Sequence, residues 1–272
     1  MSFWIRFNMF FRSFFLQAGW NFVKYQNLGF AFVMVPFLRK LYQYDPEMMP
    51  TVLSRYLETF NTHPVMASFC YGAMAKQEEN VSKAQSVTEY KEQVAEWNGA
   101  RRGLSITAAS IGDRLFWGTL KPLTLLMALF IWMLLGVNFF ETEHLQDISY
   151  FEAFSAGIMS FLVYNAIALF VRWEGIKIGY DSDESSCFGL TRFDWNRTIY
   201  KAKRLGIFFS VGLILFGVYH YFGKIQVGVN FFAQALLVIF CVIISFITRR
   251  LRIPNIYLYL SAVVIFTIVC LF

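Results

Sequence analysis

The chain has 272 residues, of which 57% are hydrophobic and 15% charged, and its formal net charge is +6. A soluble domain carries nearer a quarter charged residues, and 32 Phe with 14 Tyr exceed what one water-surrounded core can hide. The balance excludes an ordinary soluble enzyme, and because Lys and Arg gather at the ends of apolar runs it also excludes nucleic-acid binding as the reason for the basic charge.

Residues 1–37 are rich in aromatics but interrupted by Arg6, Arg12, Asn21, Lys24, Gln26 and Asn27, so no window of spanning length is free of charge or strong polarity. An interfacial helix is expected, with Trp4, Phe7, Phe10, Phe11, Phe14 and Phe15 on one wide apolar face while Arg6 and Arg12 reach lipid head groups. The first residues lack a basic region followed by a clean apolar run, so no cleavable leader is expected. Residues 45–59 read as an amphipathic helix lying in water or against a partner, and 77–102 as a charged, solvated helix carrying Glu78 and Glu79. Between and after them, residues 60–75 and 103–119 are apolar but too short to span. The first opens on Asn61, Thr62, His63 and Pro64, and the second is broken by Ser110, Gly112, Asp113 and Gly118. Both are expected to be re-entrant hairpins. Irregular backbone at membrane depth survives only where protein or a water-filled cavity satisfies its polar groups, and such segments commonly line transport sites.

Five longer apolar runs follow, at 123–140, 151–171, 205–222, 231–247 and 256–272, each read as a transmembrane helix. The fold class is therefore an all-α integral membrane protein: about five transmembrane helices after an N-terminal region, 1–122, of interfacial helices and two re-entrant hairpins. Residues 123–272 form the transmembrane region. Arg101, Arg102, Arg114 and Lys121 before the first span, and Arg172 to Arg204 in the loop 172–204, place the N-terminus in the cytoplasm and the C-terminus outside. The polar insert 181–196 is expected to be exposed and mobile. Cys70, Cys187, Cys241 and Cys270 show no CxxC pair and no adjacent His set, so they read as small buried hydrophobes rather than a disulfide or metal site, and no cofactor is expected.

Three stretches carry a resemblance. They are Gly19-Trp20-Asn21-Phe22 running through Gln26 and Gly29 to Leu41-Tyr42; Phe60-Asn61-Thr62-His63-Pro64 with Gly72 and Glu78-Glu79 after it; and Gly112-Asp113-Arg114-Leu115-Phe116-Trp117-Gly118-Thr119 followed by Lys121-Pro122. A weaker fourth comprises Asn165, Arg172, Gly175, Gly179 and Tyr180. In order and spacing these resemble the D-type membrane subunit (IID) of mannose, fructose and sorbose phosphotransferase systems. The resemblance implies a bacterial inner-membrane subunit that forms the sugar pathway with a IIC-type subunit, as a trimer of heterodimers, while cytoplasmic IIA and IIB subunits relay phosphate from phosphoenolpyruvate. It also implies that this subunit accepts no phosphoryl group. The chain departs from the family in having Arg114 where Pro is usual, Thr107-Ala108-Ala109-Ser110 where glycines are usual, and His63 where Gln is common; a transport-inactive, regulatory or scaffolding role is the alternative.

A hexose presents hydroxyls and one apolar ring face, so its site needs short polar groups and an aromatic platform. Asn61, His63, Asp113 and Trp117 supply those types and are the expected sugar contacts. Asp113 has two duller readings, capping a helix that starts near Leu115 or pairing with Arg114 or Arg102. His63 can simply tie down its turn, and Trp117 can be an interface anchor. Trp20, Asn21, Gln26, Gly29, Pro64, Gly112, Gly118 and Thr119 are expected to be structural: Trp20 and Asn21 against the partner subunit, Gly112 and Gly118 at tight turns or close packing. A membrane enzyme acting on lipid phosphates is disfavoured, because the acidic clusters Glu78-Glu79 and Asp181-Ser182-Asp183-Glu184 have no His or Gly-rich phosphate loop beside them.

Overall fold

The computed structural model describes residues 1–135 and 150–224. These are helical almost throughout, and among the described residues there is no strand, only bridges of Tyr25 with Asn21 and with Phe60. The chain divides into compact units Met1–Leu213 and Ile214–Phe272. Of the second, the described part is a helical stretch reaching Lys224. The expected spans at 231–247 and 256–272, and the end of the one at 123–140, lie outside the described residues.

Helix α1 (Phe3–Arg12) starts at Ser2, whose hydroxyl accepts from Ile5 N, and a 3-10 turn, Ser13–Phe15, ends it. Helices α2 (Asn27–Leu41) and α3 (Met49–Tyr56) follow, then α4 (Ala67–Val81), which is the centre of the molecule: eleven of its fifteen residues are buried. Phe30 of α2 stacks on Phe60 with ring centroids 4.1 Å apart and meets Tyr56 and Tyr71, and Tyr56 meets Trp97 edge-on. These rings form one dry core. Helix α5 (Val87–Gly112) opens on Ser86, which accepts from Glu89 N at 3.1 Å while the Glu89 carboxylate reaches back to Gln85 N at 2.8 Å, an arrangement close to a capping box.

Residues 103–119 do not turn back. Helix α5 passes into a π-helical segment, Asp113–Leu120, and then α6 (Lys121–Leu134), giving one uninterrupted helical run, Val87–Leu134, of 48 residues. The re-entrant hairpin expected at 103–119 is therefore absent: neither Gly112 nor Gly118 has the left-handed backbone that would let the chain double back, and of the two roles expected of Gly112 it takes close packing. The wider turn is held by Lys121 N donating to Phe116 O and by the Thr119 hydroxyl donating to Arg114 O at 2.7 Å.

Helix α7 (Tyr150–Asp181) and α8 (Trp195–Lys224) extend well beyond the apolar runs at 151–171 and 205–222. Two described helices are long and apolar enough to cross a bilayer, Val87–Leu134 and Phe154–Asp181. The C-terminal half of α7 packs on α4 through small residues. A Cβ on Gly72 would stand 2.1 Å from Ile176 O, and one on Gly179 2.3 Å from Phe69 O, so the two backbones touch as they do in small-xxx-small helix pairs.

Three further expectations change. The arginines of α1 are consumed inside the protein. Arg6 donates to Trp173 O and the Glu174 carboxylate, both at 2.8 Å, and Arg12 donates to Phe32 O. The Arg172 guanidinium in turn donates to Ser13 O and Oγ, so α1 is clamped to α7 with Phe3, Trp4, Phe11, Phe14 and Phe15 left exposed. Second, Glu78 is fully buried rather than solvated. It accepts from the Tyr42 hydroxyl at 2.8 Å and the Tyr56 hydroxyl at 3.0 Å, and it pairs with Arg55. Burial first, and the Glu78 charge second, hold both tyrosine hydroxyls well above their usual range. Third, the insert 181–196 is tied down: Phe188 and Leu190 are buried, Asp183 accepts from Ser186 N, and Trp195 Nε1 donates to Leu190 O at 2.6 Å.

Candidate functional site

Residues 57–66 connect α3 to α4 without regular structure, and several of their polar backbone groups are satisfied by protein. Gln26 grips Thr62 from both sides, its Nε2 donating to Thr62 O at 3.0 Å and its Oε1 accepting from Thr62 N at 2.9 Å, while Gln26 N donates to Phe60 O. Arg101 of α5 donates to Thr59 O, and the Thr62 hydroxyl donates to Ser105 O at 2.9 Å. A clamp of this kind fixes the segment against α5. Gly112 completes the fit, because a Cβ there would lie 2.3 Å from His63 Cβ.

The segment therefore meets the π-helical turn. His63 is buried, stacks on Phe116 at 5.0 Å and 15°, and meets the edge of Trp117 at 5.1 Å. Its Nδ1 accepts from Val65 N, which puts the proton on Nε2, and that buried N–H has no hydrogen-bond partner among the described residues. Burial first, and the positive charge of Arg172 second, pull the imidazole down to about 4, so it is neutral at physiological pH.

Trp117 is 53% exposed, one turn from Asp113. Asp113 is itself exposed, with no ion pair or hydrogen bond to its carboxylate among the described residues, and Arg114 turns instead to Asn196 Oδ1 at 3.2 Å. The capping and pairing readings of Asp113 thus fail, and Arg114 does not neutralise it. Together with Gly103, Ile106 and Ser110, Asp113 and Trp117 make one exposed face of the long helix. Asn61 is exposed on the connecting segment, two residues before His63.

The residues expected to be structural divide. Asn21 builds its own loop, Oδ1 accepting from Lys24 N at 2.8 Å and Nδ2 donating to Asn27 Oδ1 at 2.9 Å. Trp20 remains 44% exposed, packed on Phe22. Gly29 lets α2 pass the backbone of Leu16, Pro64 is half-buried just ahead of α4, and a Cβ on Gly118 would stand 3.3 Å from Asp113 O of its own helix. The buried Glu78 group and the Gln26 clamp were legible only in part: Gln26 and the Glu78-Glu79 pair stood in quoted motifs, but nothing in a single sequence distinguishes a buried Glu from a solvated one.

Residues 5–137 match the family described as "PTS system mannose/fructose/sorbose family IID component". The chain is 32% identical over 174 residues to the fructose permease IID component of Bacillus subtilis, covering 64% of this chain and 55% of that one. It is 30% identical over 172 residues to the mannose-specific EIID component of Escherichia coli K12, covering 63% and 53%. The chain thus spans about half the length of the curated relatives it matches. Its fold is similar to a chain in the cryo-EM structure of the mannose transporter ManYZ with microcin E492, at TM-score 0.52 and 27% identity, over 79% of this chain and 70% of that one. A second structure, titled "Structure of membrane protein", matches at TM-score 0.58 and 26% identity, over 78% and 70%.

Proposed function

We propose, from the premise that this chain carries the IID-component domain of the mannose/fructose/sorbose phosphotransferase family, that it is the translocation subunit forming a sugar pathway with a IIC-type membrane subunit. One observation supports this above the rest. His63 of one motif, buried, meets Gly112 and Trp117 of the other, about fifty positions away, directly behind the exposed face that carries Asp113 and Trp117. An unpaired carboxylate beside a half-exposed indole on a membrane-crossing helix suits a ligand rich in hydroxyls with one apolar face. In this reading Asp113 and Asn61 accept and donate hydrogen bonds to the sugar, Trp117 stacks on its ring, and His63 serves as the prop that sets the indole angle. The IIC subunit covers the face, and IIA and IIB phosphorylate the sugar on the cytoplasmic side, where the N-terminus lies. The assembly is a trimer of IIC–IID heterodimers.

The alternative, a transport-inactive scaffold, drew its support from Arg114, from Thr107-Ala108-Ala109-Ser110 in place of glycines and from His63; the part that rests on Arg114 is the one the structure bears on. That part weakens because Arg114 bonds to Asn196 and leaves Asp113 free. Uptake of labelled mannose, fructose and sorbose in cells expressing the chain with its IIC, IIB and IIA partners tests the reading. Asp113→Ala is expected to lower uptake at least tenfold, by analogy with the loss of one charge-assisted hydrogen bond of about 1.5–3 kcal/mol. Unchanged uptake, or a chain that purifies folded without any IIC subunit, defeats it.

A further inference from the structure

Among the described residues, helices α6 and α7 leave between them an open groove of about 740 Å³, lined among others by Trp117, Lys121, Leu125, Ala128, Phe161 and Asn165. The edge contact of Phe116 with Tyr164 brings the start of α6 beside the middle of α7, which gathers Trp117, Lys121 and Asn165 at one end. From there the wall is mostly apolar for about two helical turns, roughly 10 Å, along Leu125 and Ala128 on one side and Gly157 and Phe161 on the other, with the hydroxyl of Thr124 given to Lys121 O and that of Ser160 set into the wall.

Three details point to a ligand. The Lys121 ammonium is exposed and has no hydrogen-bond or ion-pair partner among the described residues, although it sits in a helix apolar enough to cross a membrane. Ser160 lines the groove, 7% exposed, with its Oγ unpaired among the described residues. A Cβ on Gly157 would meet nothing within 4 Å, so space is left open in the apolar part.

We propose that this groove holds one anionic glycerophospholipid, its phosphate on Lys121 and one acyl chain laid along Leu125, Ala128, Gly157 and Phe161. The polarity of the groove is that of an amphiphile, charged at one end and apolar for the rest, and basic pockets between transmembrane helices select anionic head groups. A protein helix is the poorer occupant, because it would need to bring a carboxylate to Lys121 and would extend well past a groove two turns long.

The test uses the full chain with its co-purified membrane partners, reconstituted into vesicles of equal parts phosphatidylglycerol and phosphatidylcholine. The complex is then extracted, and its retained lipid is counted by native mass spectrometry. The wild type is expected to keep phosphatidylglycerol in preference to phosphatidylcholine. Lys121→Gln lowers that preference about fivefold, the effect of one basic residue at a lipid surface, and Lys121→Arg restores it. Gly157→Leu fills the chain path and reduces retention of both lipids. Equal phosphatidylglycerol retention by the wild type and Lys121→Gln overturns the proposal, as does a complex that keeps no lipid and loses a partner subunit on Gly157→Leu. The readout is lipid, not uptake, so it can fail while the transport reading stands, and the reverse.

Discussion

The N-terminal part of helix α4 and the N-terminal half of α7 are both apolar in sequence, yet they face different surroundings. Helix α4 is enclosed by protein, and its polar members are satisfied there: Ser68 donates to Val65 O, and Glu78 receives two tyrosines and Arg55. The most apolar window of α7 is only 11% buried and presents Phe154, Ile158, Phe161, Leu162 and Phe170 outward. Apolar content alone does not separate the two cases. Small residues at helix spacing and internally matched polar groups mark a core, whereas bulky side chains all round mark a lipid face.

The strongest way to break that comparison is to attack the buried charge. In Glu78→Ala, Arg55 keeps its charge but loses its carboxylate, and two tyrosine hydroxyls lose their acceptor. Removing one partner of a buried pair costs about 3–5 kcal/mol. Thermal unfolding of the detergent-solubilised protein is expected to show a large drop, with Glu78→Gln intermediate because it keeps an acceptor oxygen. A melting temperature within a degree or two of wild type would mean that α4 is not the core.

Next comes pH. His63 is neutral in the fold with its pKa pulled to about 4, against about 6.5 when unfolded. Between those values the unfolded chain binds more protons, so stability is fully present above about pH 6.5 and declines as pH falls toward 4, by up to about 3 kcal/mol. His63→Gln, which carries no titratable group, is expected to flatten that slope specifically. An identical slope in the variant would assign the acid sensitivity elsewhere.

Smaller, and the most direct comparison, are two glycines of one helix. Gly179→Ala sets a methyl 2.3 Å from Phe69 O, a clash with backbone that cannot swing away. Overpacking of this kind costs about 1–3 kcal/mol. Gly157→Ala meets nothing, and the gain in helix propensity is worth about 0.5–1 kcal/mol. Melting temperatures should therefore move in opposite directions, and a common sign would erase the distinction between the packed and open halves of α7.

The sequence made the membrane class and the motif residues readable, because composition and spacing are local properties. The long helix was misjudged for a physical reason. Gly112 and Gly118 look like breakers, but Gly112 is required by the side chain of His63, a contact between residues 49 positions apart that no local pattern encodes. Glu78 was misjudged similarly, since its three partners are Tyr42, just past the end of α2, and Arg55 and Tyr56 of α3. Arg6 and Arg12 fit an interfacial pattern, yet carbonyl and carboxylate groups of this chain reach them before lipid does.

The smallest expected effect on stability belongs to the face carrying Asp113 and Trp117, and its smallness is what makes it informative. Asp113 is exposed and unpaired, and Trp117 is 53% exposed, so Asp113→Asn and Trp117→Phe remove little that the fold uses. Surface changes of this type stay within about 0.5 kcal/mol. If the face serves a sugar or a partner subunit, uptake falls in both variants while the melting curve stays in place. The edge contact of Trp117 with His63 adds an internal control, because Phe at 117 can keep a ring against the imidazole while losing the indole N–H. A melting temperature that falls in step with uptake would instead make these residues part of the packing, and the outward face would lose its claim to function.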